Sequence, residues 1–132
     1  MLRIISVILV ATALSVSGFA QDLLQIENEP MDPRIHPVAP ADGAEAVTNP
    51  PAMAFWWGGA VDRYTLELSQ NREFTDPITI SDLALPMYNH PDALDTGTWY
   101  WRYRYTNADG ARSRWSPVRS FEVTEASIPF PV

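Results

Sequence analysis

The run Thr98-Trp99-Tyr100-Trp101-Arg102-Tyr103-Arg104-Tyr105 constrains the fold more than any other stretch of the chain. Eight residues carry two of the five tryptophans and three of the five tyrosines. A strand sends successive side chains to opposite faces. That period puts Trp99, Trp101, Tyr103 and Tyr105 on one face and Tyr100, Arg102 and Arg104 on the other. Aromatic residues suit a pleated surface, and neither Gly nor Pro interrupts the run. It therefore predicts a central strand, four aromatics turned to a core and two arginines turned outward. The opposite register would bury two unpaired guanidiniums, which is prohibitive.

The 132 residues allow one domain of ordinary size, and the first twenty are expected to lie outside it. Arg3 gives a positive start, Ile4 to Leu14 is apolar, and Gly18-Phe19-Ala20 offers small residues where a signal peptidase reads. Residues 1–20 are read as a secretory signal peptide, with a secreted or periplasmic destination. The apolar run is short for a transmembrane anchor. Without cysteine, the exported domain must rely on its core, and thiolate metal sites and thiol catalysis are excluded. The chain has nine arginines and no lysine; past residue 20, eight arginines face sixteen carboxylates, a net charge of −8. Such a surface argues against nucleic acid and, after signal cleavage, against a membrane of anionic lipid.

The rest of the chain reads as short extended segments between turns. Residues 21–33 are polar and acidic, a flexible N-terminus or linker. Arg34 to Pro40 is a candidate edge strand, since proline is tolerated there. Ala41-Asp42-Gly43 is a turn, and Asn49-Pro50-Pro51 forces an extended entry into a strand over Ala52 to Trp57. Trp56-Trp57 then points one indole to each face. Val61 to Ser69 alternates, with Tyr64, Leu66 and Leu68 expected inward. Phe74 is expected to plug the core from a loop, Ile78 to Ile80 is a short strand, and Leu83 to Asp92 is irregular or at an edge. Asn107-Ala108-Asp109-Gly110 is a tight turn. Val118 to Thr124 closes the domain, with Phe121 and Val123 inward. No window of ten residues has helical periodicity. Seven extended segments predict an all-β sandwich over residues 34–124. Residues 125–132, apolar and proline-spaced, are read as the start of a linker to a further domain; the alternative is a tail packing back on its own sandwich.

The ordered set of motifs resembles a known architecture. Leu94-Asp95-Thr96-Gly97-Thr98 before the aromatic run resembles the entry to the sixth strand of fibronectin type III/immunoglobulin-like sandwiches. More narrowly, residues 34–132 are similar to the N-terminal domain of heparinase II/III-type polysaccharide lyases. The motifs are Pro40-Ala41-Asp42-Gly43; Asn49-Pro50-Pro51 with Phe55-Trp56; Tyr64 to Ser69 with Phe74; Gly97 to Arg104; and Ser113-Arg114-Trp115-Ser116 with Arg119-Ser120-Phe121. The resemblance implies a sandwich preceding an (α/α) toroid and a further β-sandwich. The family eliminates across a glycosidic bond next to a uronate, using Tyr and His bases in the later domains. None of those bases maps onto a position here.

The resemblance therefore implies a non-catalytic accessory module that packs against the catalytic domain of the same polypeptide, with polysaccharide as a possible partner. A free-standing extracellular module binding glycan or protein is the alternative. No cofactor is expected. His36 and His90 are the two imidazoles, and two histidines with scattered carboxylates lack metal-ligand spacing. Tyr88, His90 and Asp92 contain acid/base chemistry but lie in a proline-bounded loop. The candidate ligand surface is Tyr100, Arg102, Arg104 and Trp115. Tryptophan offers an apolar face and arginine grips carboxylates, while the reading preferred for the same residues is an internal ladder that stiffens the sandwich. The expected core is Trp99, Trp101, Tyr103, Tyr64, Leu66, Leu68 and Phe121.

Overall fold

The computed structural model describes residues 38–55 and 61–129. The signal segment, His36, Trp56, Trp57 and residues 130–132 lie outside them. The described chain is all-β: β1 Ala44–Glu45, β2 Thr48–Asn49, β3 Ala52–Ala54, β4 Arg63–Ser69, β5 Ile78–Leu83, β6 Met87–Asn89, β7 Gly97–Thr106, β8 Arg119–Val123 and β9 Ile128–Pro129. They form a five-stranded sheet in the order β1-β8-β7-β4-β5 and two two-stranded sheets, β2-β9 and β3-β6. This arrangement in several sheets is consistent with a β-sandwich.

The aromatic strand β7 sits at the centre, antiparallel to β4 on one side and β8 on the other. Its register with β4 places Tyr105 opposite Tyr64, Tyr103 opposite Leu66 and Trp101 opposite Leu68. Its register with β8 places Trp99 opposite Phe121. All of these side chains are buried, as is Val123. The second layer reaches them through Met53 of β3 and Phe55 just after it. The Phe55 ring stacks on Tyr103 at 4.7 Å and meets Tyr64 edge-on at 5.3 Å. Each buried aromatic removes about 150–250 Å² from water, a gross transfer gain of about 4–6 kcal/mol. That is how a cysteine-free domain of this size holds together.

Several strands differ from the sequence reading. In the segment expected to run to Trp57, Ala52–Ala54 is strand and Phe55 is not, while Trp56 and Trp57 lie outside the described residues. Of the expected edge strand over residues 34–40, Ala39 makes a single bridge to Ala54, and residues 34–37 are outside the described chain. β5 continues past Ile80 to Leu83, because a bulge between its pairings with Tyr64 and Leu66 absorbs an extra residue. Asp82 takes the left-handed conformation there, φ 60°. Within Leu83 to Asp92, Met87–Asn89 pairs with β3. β1 and β2, unforeseen, pair in parallel with β8 and β9.

The segment expected to begin a linker instead stays with the domain through Pro129. The Ser127 hydroxyl donates to the Ala46 carbonyl at 2.6 Å, and the Ile128 amide donates to the Val47 carbonyl at 2.8 Å. Two motifs far apart in sequence also meet. Asn49 donates from Nδ2 to the Leu94 carbonyl, 2.9 Å, and accepts from the Leu94 amide, 2.8 Å. The Asn-Pro-Pro segment is thereby tied to the turn that launches β7.

Candidate functional site

The outer face of the five-stranded sheet carries the chain's concentration of polar and cationic groups. Alternation along β7 sends Tyr100, Arg102 and Arg104 to this face, each half-buried. Arg102 lies opposite Glu67 of β4, and Glu67 opposite Thr79 of β5. Both Arg102 Nε and Nη2 donate to Glu67 Oε1, at 2.9 and 2.8 Å. Thr79 Oγ1 donates to Glu67 Oε2 at 3.1 Å. The carboxylate is thus fully engaged by the strands on either side of it.

The rings come from two loops. Phe74 lies over Arg102, 4.1 Å from the guanidinium carbon, and Trp115 contacts both Arg102 at 4.4 Å and Arg104 at 4.3 Å. Residues two apart on a strand are separated by about 7 Å, a gap that one indole fills. Phe74, Arg102, Trp115 and Arg104 therefore form a stacked ladder. Phe74, the loop residue expected as a plug, is buried, and it packs as the outermost rung over Arg102. Phe74 reaches it from the left-handed region, φ 55°, in a turn closed by reciprocal bonds between Asn71 and Thr75. Tyr100 carries its own cation, Arg72, at 5.0 Å.

Trp115 is held in place by the serines flanking it. The Tyr105 amide donates to Ser113 Oγ and the Tyr103 amide to Ser116 Oγ, both at 3.0 Å. In return the Ser113 amide donates to the Tyr105 carbonyl at 3.0 Å, and the Ser116 amide to the Tyr103 carbonyl at 2.7 Å. The hydroxyls donate onward to the Arg114 and Pro117 carbonyls. β8 pairs with β7 only as far as Trp101, so these serines complete the edge of β7 where no strand does. Buried amides need such partners. The Ser-x-x-Ser spacing leaves Trp115 between them, turned to the outer face.

Beyond Trp115 the face opens into a groove of about 410 Å³, lined by Thr65, Glu67, Thr79, Ser81, Asp82, Arg104, Thr106, Arg112 and Trp115. Burial, then the neighbouring charge of Arg112, pulls Arg104 below the ordinary arginine range; Glu67 opposes this and Arg102 adds to it. Neither the Arg104 nor the Arg112 side chain makes a hydrogen bond or ion pair with another described residue, in contrast to Arg102.

The other candidates separate from this face. Tyr88 Oη and His90 Nδ1 are 3.0 Å apart. Burial, and then the charge of Asp92, pushes the Tyr88 phenol above its usual range. Both effects favour the protonated phenol, the opposite of what a tyrosinate base needs. No cluster of three metal-ligating side chains occurs among the described residues. Sequence reasoning missed Glu67, Phe74, Arg112 and Arg119. Arg119 shares the inward parity of Phe121 and lies over the rings of Trp101 and Tyr103 at 5.5 and 5.9 Å. Parity along β8 carried that signal; the other three depend on cross-strand register and loop shape.

No protein-family model matches the chain, and no curated protein matches it. Among solved structures, it is similar to Streptomyces avermitilis alpha-L-rhamnosidase complexed with L-rhamnose, with a TM-score of 0.44 and 18% identity. The match covers 64% of this chain and 9% of that one, so the chain spans under a tenth of that enzyme's length. A likeness at this level fixes neither a fold type nor an activity.

Proposed function

We propose that the chain is a non-catalytic, fibronectin type III-like module of a secreted polysaccharide lyase of the heparinase II/III type, packing against the catalytic toroid of the same polypeptide. The motif order over residues 34–132 supports the family. One structural observation carries the packing role. Among the described residues, the four large apolar side chains that are mostly exposed, Val47, Leu85, Met87 and Ile128, all lie outside the five-stranded sheet. Val47 and Ile128 are joined by a backbone hydrogen bond, and Leu85 and Met87 lie two residues apart at β6. Exposed apolar groups away from the five-stranded sheet, whose outer face is polar and cationic, are what a docked module presents.

The test is the reading frame past Val132. A continuation into a long helical sequence of toroid type is the expected result. A stop codon directly after Val132, with a stable soluble product, overturns the proposal. The groove beside Arg104 favours the second reading, an extracellular glycan- or protein-binding module.

A further inference from the structure

We infer that the groove between Trp115, Arg104 and Arg112 is a binding site for an acidic sugar, a single uronate or a short oligosaccharide carrying one. The donor set determines the class. Arg104 and Arg112 line the same groove, and the N–H groups of their guanidiniums make no hydrogen bond or ion pair with another described residue, although the Arg104 guanidinium also stacks on Trp115. Planar, forked donors of this kind suit a carboxylate. Hydroxyl residues Thr65, Ser81 and Thr106 line the groove from three neighbouring strands, matched to a polyhydroxylated ring rather than to a bare anion, while the Thr79 hydroxyl donates to Glu67. Trp115 supplies an apolar flank.

Charge sets the number of carboxylates. Arg102 and Glu67 cancel as an ion pair 2.8 Å apart. Of the remaining lining residues Arg104 and Arg112 outnumber Asp82 by one. One carboxylate neutralises the site. A long polyanion gains no more there and meets a chain of net charge −7. Asp82 stands in this wall because the β5 bulge holds it in the left-handed region, φ 60°. A carboxylate beside hydroxyl donors accepts hydrogen bonds from sugar hydroxyls.

The experiment titrates the full chain with sodium glucuronate, glucose and acetate, followed by calorimetry and amide chemical shifts. Saturable glucuronate binding is expected, with shifts on Thr65, Thr79, Arg104 and Arg112, and binding at least about tenfold weaker for glucose and for acetate. Arg112 is exposed, so Arg112→Ala should fold normally and weaken glucuronate binding about tenfold or more, the loss of one charge-assisted contact. Arg72→Ala, on the Tyr100 side of the ladder, should leave binding unchanged. Absence of saturable binding overturns the proposal. So does acetate or glucose binding as tightly as glucuronate, or a folded Arg112→Ala protein that binds normally. The measurement uses this chain alone, so a failure here leaves the accessory-module reading standing. A stop codon after Val132 would likewise leave the groove proposal standing.

Discussion

Ser116 and Tyr103 share two hydrogen bonds that close a ring between a loop and a strand. The Tyr103 amide donates to Ser116 Oγ at 3.0 Å, and the Ser116 amide donates to the Tyr103 carbonyl at 2.7 Å. Both residues are buried, so no water replaces either partner without rearrangement. Ser116→Ala leaves the Tyr103 amide without its acceptor. We expect a loss of about 1–3 kcal/mol, read from the urea midpoint at unchanged slope. A change under about 0.5 kcal/mol would show that the loop contributes little to the strand edge.

Trp101→Ala empties the centre of the core, since its side chain is fully buried. A loss of about 3–5 kcal/mol is expected in chemical denaturation. A near-neutral result is incompatible with the register described for β7.

The ladder is tested by a double-mutant cycle on Trp115→Ala and Arg104→Ala. Each stacked pair contributes about 0.5–1 kcal/mol. The cycle should return a coupling energy of that size, whereas Trp115→Ala alone, touching two arginines, should cost about 1–2 kcal/mol. Strictly additive variants would mean that the stack holds no energy of its own.

Alkaline pH should weaken the fold. Burial raises the phenol of Tyr64, and burial with the Asp92 charge raises that of Tyr88. The native state thus holds these protons more tightly than the unfolded chain. Their contribution is complete below the unfolded value of 10.0 and declines as pH rises through the higher native values. Urea midpoints measured from pH 9 to 11.5 should fall above about pH 10. The fall should be shallower in Tyr64→Phe. A flat profile in the parent chain contradicts the burial assigned to these rings.

The isolated chain should release no unsaturated product from uronate polysaccharides. Ultraviolet absorbance during prolonged incubation is the measurement. A rise abolished by Tyr88→Phe or His90→Ala would make the loop catalytic and remove the accessory role.

The aromatic strand is legible in the sequence because two opposed chemistries alternate without interruption, and burying Arg102 and Arg104 costs far more than any competing arrangement gains. The inward positions of Tyr64, Leu66 and Leu68 follow from the same period. The two-residue strands β1, β2 and β9 are not legible. They are too short to show a period and owe their existence to neighbours supplied by β8 and by each other. Arg102, Arg104 and Trp115 can be nominated as a face from residue type. Their partners Glu67, Thr79 and Phe74 cannot, because register and a left-handed loop residue bring them there. Arg112 joins the groove through its bridge to Thr106, a product of the Asn107–Gly110 turn.

The bulge in β5 has a consequence for the molecule's behaviour among copies of itself. β5 is an outer strand of the five-stranded sheet, and its far side pairs with no other described strand. A straight strand of six residues would offer an incoming chain an unbroken row of backbone donors and acceptors. The extra residue and the left-handed turn at Asp82 break that row after Ile80 and place a carboxylate beside the break. Edge-to-edge addition then stalls within three residues of Ile78, and the sheet stops growing at its own border.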